Sequence, residues 1–199
     1  MKLNVRWTLI LVLLLTFAWS GGRLALAQEL TLHADPAQSQ VEFTLGDVLH
    51  TVHGTFRLKD GTVQVDPAKG IASGAIVVDA TSGNTGNDSR DHKMHKEILQ
   101  SDKYPEIRFT LQKMEGRLAP SGNSDIKLTG VMSIHGSDHP MTITAPVQIN
   151  NGRTTTDVHF VVPYVQWGMK DPSTFVLRVS KEVDITVHLV GSLSARPAS

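Results

Sequence analysis

Apolar and polar residues alternate through most of the chain after residue 30, and this pattern limits the folds open to it. Alternation with a period of two places all the apolar side chains of an extended strand on one face. The pattern is found in residues 41–45, 107–111, 126–134, 141–147 and 183–189. Many such segments in succession predict an all-β, mainly antiparallel sandwich or barrel.

Turn residues separate the alternating segments. Lys59-Asp60-Gly61 predicts a tight hairpin, because Asp-Gly supplies the positive φ angles of such a turn. Asn150-Asn151-Gly152 predicts a second hairpin for the same reason. The stretch from His135 to Pro140 predicts a longer loop.

One segment, residues 88–99, has the pattern of a helix. Asn87 or Asp88 can accept hydrogen bonds from the free amides of a first helical turn, and Asp91 suits the positive end of the helix dipole. Met94, Ile98 and Leu99 form a narrow apolar stripe. A helix this short is marginal alone, so we expect it to dock on the sheet, for example across one end of a barrel.

The first 27 residues have the features of a cleavable signal peptide. Lys2 and Arg6 precede an uncharged, mostly apolar run at residues 9–19, and Ala25-Leu26-Ala27 is a small-x-small cleavage signature. A membrane anchor is the alternative, but the run is shorter than the roughly 18 to 20 apolar residues of a spanning helix. We therefore expect a periplasmic or secreted mature domain, residues 28–199, with no stable membrane insertion after cleavage.

Charge and composition exclude several classes of partner and site. Cleavage removes three of the 19 basic residues and none of the 19 acidic ones, giving a formal charge of −3. The mature chain thus lacks the basic excess that nucleic-acid backbones or anionic lipid surfaces attract, and no nucleic-acid partner is expected. The chain has no cysteine, so disulfides, thiolate metal sites and cysteine nucleophiles are excluded.

The remaining candidates for chemistry are weak. His92 and His95 are three residues apart and could share a helix face, but a zinc site needs three or four ligands, and the other histidines are scattered. Ser133 and His135 are the nearest Ser-His juxtaposition, without a Gly-x-Ser-x-Gly motif. We therefore expect no catalysis, no metal site and no cofactor.

The buried-face aromatic residues are open to two interpretations. We assign Phe43, Phe56, Phe109, Phe160, Trp167 and Phe175 to apolar faces. They could form a simple packed core, because a barrel of about eight strands can be filled by its own side chains. They could also line a cavity for one small ligand, and composition and spacing do not decide between the two.

Several short motifs, in order, resemble the YceI-like family. Ser39 to Thr44 is similar to the family's S-x-V-x-F strand, and Gly54-Thr55-Phe56 to its G-x-F strand. Arg90-Asp91 opens the helix as in the R-D motif, and Tyr104 to Phe109 resembles Y-P-x-I-x-F. The resemblance runs from about Leu32 to Gly191 and implies a lipocalin-like β-barrel of about eight strands with one short helix.

The same resemblance implies binding of a polyisoprenoid or similar long-chain apolar ligand. In that interpretation the inward side chains hold the tail and Arg90, Lys93 or His92 meets an anionic head. The predicted ligand-binding residues are Phe43, Phe56, Ile76, Val78, Arg90, His92, Phe109 and Trp167. Two alternatives remain open: an exported structural or stress-linked barrel with a filled core, and a His-based metal or haem accessory protein.

Overall fold

The structure is a computed structural model that describes residues 28–46, 50–175 and 178–197, so the predicted signal peptide lies outside the described residues. The helical segment comprises α1 (Asp88–Lys93) and a following π-helical turn (Met94–Leu99). The strands are β1 (Gln28–Ala34), β2 (Gln40–Gly46), β3 (Thr51–Asp66), β4 (Ile71–Asn84), β5 (Glu106–Gly116), β6 (Gly122–Ile134), β7 (Ser137–Asn150), β8 (Arg153–Val162) and β9 (Val183–Pro197). In the described part of the chain, no helix has the length and apolar character needed to cross a bilayer.

The strands form one closed antiparallel barrel, which confirms the expected fold class. From β2 to β9, each strand is hydrogen-bonded to the next one along the chain. β2 also pairs with β9, and this pairing joins the two ends of the sheet. β1 lies end to end with β2 between the same two neighbours, pairing with Thr62–Val65 of β3 and Gly191–Pro197 of β9. β1 and β2 together therefore occupy the place of one strand in the barrel, between β3 and β9.

The barrel has two distinct ends. At the helix end, β2, β4, β6 and β8 finish and the helical segment follows β4. At the far end, β3, β5, β7 and β9 finish, and the turns are short. One of these turns is the predicted hairpin at Asn151-Gly152, where φ is 50° and 80°, as a two-residue hairpin turn requires.

The predicted hairpin at Lys59-Asp60-Gly61 is wrong. β3 continues through these residues, and its register with β4 shifts between Leu58 and Asp60, which marks a β-bulge. A Cβ on Gly61 would lie 2.7 Å from the Cβ of Ala34 and 2.9 Å from the Cδ1 of Ile76, so the glycine is required by close packing. Asp-Gly fits a bulge as well as a turn, and the alternation pattern alone did not separate them.

The predicted loop from His135 to Pro140 is also shorter than expected. His135 and Gly136, with φ of 52° and 76°, form a two-residue turn, and Ile134 pairs directly with Ser137. Pro140 lies inside β7, on a stretch that pairs with β6 but lies beyond the ladder between β7 and β8, which covers Val147–Asn150. A proline is tolerated there because that edge needs no amide donor.

The helical segment begins as its sequence predicts. The Asn87 side chain accepts a hydrogen bond from the Arg90 amide at 3.0 Å, and the Asp91 carboxylate accepts from the amide of Thr85 at 3.0 Å. The segment departs from an α-helix after Lys93, and Gln100 ends it with a left-handed φ of 49°. His95 ties it to the barrel, with Nε2 2.9 Å from the Gly83 carbonyl oxygen and Nδ1 3.0 Å from the Ser101 hydroxyl.

Aromatic rings lie against glycines of neighbouring strands inside the barrel. A Cβ on Gly54 would lie 2.3 Å from the Phe43 ring, and one on Gly130 would lie 3.0 Å from the Phe109 ring. Phe43 also contacts Phe56, with ring centroids 5.2 Å apart. The rings therefore lie along the wall and take the space that a side chain on the next strand would occupy.

We expect Gly54→Ala to destabilise the barrel by about 1–3 kcal/mol, because the new methyl group overlaps the Phe43 ring and backbone. Its Cβ would also lie 2.8 Å from the Asn84 carbonyl oxygen, which cannot move aside easily. Urea denaturation gives the free energy of unfolding. Gly46→Ala is the control, since a Cβ there meets no described atom within 4 Å. Equal effects at the two positions would contradict this packing.

We expect Tyr164 to ionise late and to couple folding to alkaline pH. Its hydroxyl donates to the Ser180 carbonyl oxygen at 2.7 Å, and burial, with a smaller contribution from Asp171, raises its pKa to about 12. An unfolded tyrosine ionises near pH 10, so this contribution to stability is complete below about pH 10 and is lost as pH rises through about 12.

The chain has 2 tyrosines, so the absorbance titration of Tyr164→Phe isolates Tyr104, and the difference from wild type isolates Tyr164. Between about pH 10 and pH 12 the free energy of unfolding should also fall less in the variant than in the wild type. An unchanged alkaline stability profile in Tyr164→Phe would refute the assignment.

Candidate functional site

The barrel encloses a cavity of about 580 Å³ with an almost wholly apolar wall. Every strand contributes to this wall, because the apolar parity of each strand faces inward. The described lining has two charged side chains, Arg90 and Lys93, and both belong to α1. The volume lies within the range of about 300–1,000 Å³ that is typical of small-molecule sites.

Many inward side chains are only half-buried, which distinguishes this barrel from a filled one. Phe56, Ile76, Val78, Phe160 and Val187 all line the cavity and are of intermediate exposure. In a close-packed core such side chains would be fully buried by their neighbours. The interior is therefore hollow, and apolar surface inside it is open to a guest.

The structure brings together six of the eight predicted ligand-binding residues. The six that line the cavity are Phe43, Phe56, Ile76, Val78, Arg90 and Phe109. Residues 90, 93, 94 and 98 of the helical segment share the face toward the cavity, whereas His92 is exposed and is not part of the lining. Contact of these residues with a ligand stays a prediction.

Two aromatic residues lie elsewhere than the alternation predicts. Trp167 is not part of the cavity lining, and its ring stacks on that of His139, with centroids 4.1 Å apart and 4° between the planes. The assignment of Phe175 to a buried face is wrong, because its side chain is 95% exposed. Both lie in the segment between β8 and β9, where strand parity does not apply.

The polar part of the lining is concentrated at the helix end. Thr85, Asn87, Ser89, Arg90 and Lys93 lie there. Arg90 is held by Thr85, donating from Nε to its hydroxyl at 2.8 Å and from its guanidinium to its carbonyl oxygen at 3.0 Å. Among the described residues the Lys93 ammonium group makes no hydrogen bond or salt bridge, although its charge helps to hold the pKa of Glu97 below its usual range.

An ion pair links the helical segment to the chain between β8 and β9. Lys170 donates to the Glu97 carboxylate, and this hydrogen bond and charge hold the pKa of Glu97 below its usual range. Met169, next to Lys170, is buried and lines the cavity. The helical segment and the chain around Met169 therefore both form the helix end of the cavity.

Two of the candidate residues for metal binding and catalysis, His95 and Ser133, are held by partners within the fold. Both ring nitrogens of His95 have hydrogen-bonding partners, and Ser133 donates to Asp138 at 2.5 Å. Ser101, which contacts His95, is 2% exposed and so closed to a substrate. Across the described ranges, no three His, Asp or Glu side chains form a group that could hold a metal ion.

Thr154 and Thr156 are among the polar lining residues that the sequence interpretation missed. Their hydroxyl oxygens are shielded from solvent and have no hydrogen-bonding partner. The alternation of β8 could have identified them. Val158, Phe160 and Val162 face inward, and positions 154 and 156 have the same parity. The run of three threonines at 154–156 hides this parity, since threonine suits either face of a strand.

The comparison with known proteins agrees with the geometry. The BcnA structure from Burkholderia cenocepacia has a TM-score of 0.66 at 25% identity, covering 79% of this chain and 98% of that one. The structure of a polyisoprenoid binding domain from Saccharophagus degradans has a TM-score of 0.63 at 18% identity, covering 85% and 99%. The second likeness shows a shared fold.

The matches to sequence relatives cover a smaller share of the chain than the matches to solved structures do. A UPF0312 protein of Pseudomonas savastanoi pv. phaseolicola is 30% identical over 124 residues, which is 61% of this chain and 62% of that protein. The match thus spans less than two thirds of the relative's length. The model of the YceI-like domain matches residues 32–191, which include nearly the whole barrel. The chain therefore belongs to the YceI-like family.

Proposed function

We propose that this protein is an exported carrier that holds a long apolar ligand, a polyisoprenoid or similar lipid, inside its barrel. The observation that carries the proposal is the hollow interior of about 580 Å³, lined by half-buried apolar side chains. The related fold described as a polyisoprenoid binding domain supports the same class of ligand. Binding without catalysis needs only this enclosed apolar surface.

The physical driving force is adequate for stable retention. Burial of apolar surface contributes roughly 25 cal/mol per Å², so a contact of roughly 400 Å² gives a gross gain of about 10 kcal/mol. Losses of ligand motion and of polar solvation reduce this figure. The half-buried interior side chains supply the surface, since they lose their remaining exposure when a chain lies against them.

The helix end suits a polar or anionic head. The Lys93 side chain lines the cavity and makes no hydrogen bond or salt bridge among the described residues, and Arg90 lies one turn earlier on the same face. In a ligand with its tail in the barrel, an anionic head near Lys93 would form an ion pair with the Lys93 ammonium group. This arrangement keeps the charged group near water, where its desolvation cost is small.

The two alternative functions have less support from the geometry. A filled structural barrel would bury Phe56, Ile76 and Val187, all of which keep intermediate exposure. A His-based metal protein would need several ligands grouped around one point, and the described residues contain no such group of three, although Nε2 of His135 and Nε2 of His139 lack hydrogen-bonding partners.

We expect Val187→Trp to abolish ligand retention while leaving the empty protein stable. Val187 lies on β9 between Val41 and Val158 and faces the cavity. In a hollow barrel the indole enters existing space, so the free energy of unfolding should stay within about 1 kcal/mol of wild type; overpacking a filled core costs about 1–3 kcal/mol. Native mass spectrometry after mild purification measures bound lipid.

The matched control is Thr186→Trp, which adds the same side chain to the exposed face of the same strand. It should keep the bound lipid. Strong destabilisation by Val187→Trp, together with bare protein mass in the wild type, would establish a filled barrel and reject the carrier function.

We propose export as the route to the site of action. The signal features of residues 1–27 support it. The intact mass of protein recovered from the extracytoplasmic fraction should lack residues 1–27. Recovery of the full-length chain in membranes would contradict cleavage without affecting the ligand proposal.

A further inference from the structure

Two hydroxyl groups interrupt the apolar wall on strand β8. Thr154 and Thr156 both line the cavity, and Thr154 is 3% exposed. The Oγ1 atoms of both are inaccessible to solvent and have no hydrogen-bonding partner. Because they are two residues apart on one strand, the side chains lie on the same face, roughly 7 Å apart.

Their surroundings offer no partner within the protein. Thr156 is paired across the sheet with Val147 and Leu189, and Thr154 with Ile149 and Gly191. A buried hydroxyl without a hydrogen bond destabilises a protein, whereas valine has nearly the same shape and carries no such cost. The two threonines are therefore poorly explained by packing alone.

The pair lies at the opposite end of the cavity from the charged residues. Thr154 follows the Asn151-Gly152 turn at the far end, while Val162, which also lines the cavity, is at the helix end. The eight steps along the strand from residue 154 to residue 162 correspond to roughly 26 Å. In the described lining both charged side chains belong to α1, so a charged ligand group beside Thr154 would lack a counter-ion.

We propose that Thr154 and Thr156 form a subsite for an uncharged hydrogen-bonding group on the ligand, such as a hydroxyl, carbonyl or amide. This inference rests on the proposed carrier function and specifies its ligand as a long apolar chain whose leading end carries that group. Rotation about χ1 exchanges the hydroxyl and methyl positions of threonine between staggered rotamers, so each hydroxyl can turn to the ligand without backbone movement.

The test compares two probes that differ by one hydroxyl: geranylgeraniol and the corresponding hydrocarbon without oxygen. Delipidated wild type should bind the alcohol more tightly. Thr154→Val and Thr156→Val should each weaken alcohol binding about three- to tenfold and leave hydrocarbon binding unchanged or tighter. Unfolding of the empty variants should occur at the same or higher temperature, because an unpaired hydroxyl is removed.

Thr155→Val is the matched control, since it changes the residue between the two on the opposite face of the strand. It should leave the preference for the alcohol intact. Equal binding of both probes by wild type would overturn the subsite while leaving the carrier function standing. Loss of stability in the double variant, with an unchanged preference for the alcohol, would show that the two hydroxyls bind buried water in the empty protein. That result would also overturn the subsite. Binding of neither probe by wild type would reject the carrier function and the subsite with it.

Discussion

The pairing of β1 and β2 with β9 is the interaction on which the rest of the structure depends. It joins the two edges of a long antiparallel sheet, and without it β9 on one side and β1 and β2 on the other would present unpaired amides and carbonyls to water. Closure also encloses an interior. β1 (Gln28–Ala34) closes the barrel toward its far end, so the first residues after the expected cleavage site complete the barrel.

Closure alone does not make a cavity, and the sizes of the inward residues decide whether space remains. The rings of Phe43 and Phe109 lie against Gly54 and Gly130 of neighbouring strands and occupy the space that a side chain there would need. Aliphatic residues such as Val158 and Ala145 complete the wall without reaching its centre. The space that remains therefore depends on contacts between residues of neighbouring strands, which are distant in sequence.

This dependence explains what the sequence could predict. Period-two alternation correctly places Phe43 and Phe109 inside, because parity is a local property of a strand. It does not distinguish the β-bulge between Leu58 and Asp60 from a hairpin, since Asp-Gly suits both and the packing of Gly61 against Ala34 and Ile76 depends on other strands. It also misplaces Phe175, which lies outside any strand, and leaves Thr154 unnoticed among polar neighbours. Whether the barrel is hollow is likewise a tertiary property.

Under the proposed function, the same features that retain a ligand also constrain its release. A ligand leaving for water would expose its own chain and restore the exposure of Phe56, Ile76 and Val187, reversing the whole hydrophobic gain. Transfer to an acceptor that is itself apolar avoids that cost, since the chain passes from one apolar environment to another. The cationic Lys93 at the helix end would hold an anionic head near water, so the head could contact an acceptor before the tail leaves. A carrier of this design is therefore expected to exchange its ligand by contact with an apolar acceptor, with the helix end as the surface that meets it.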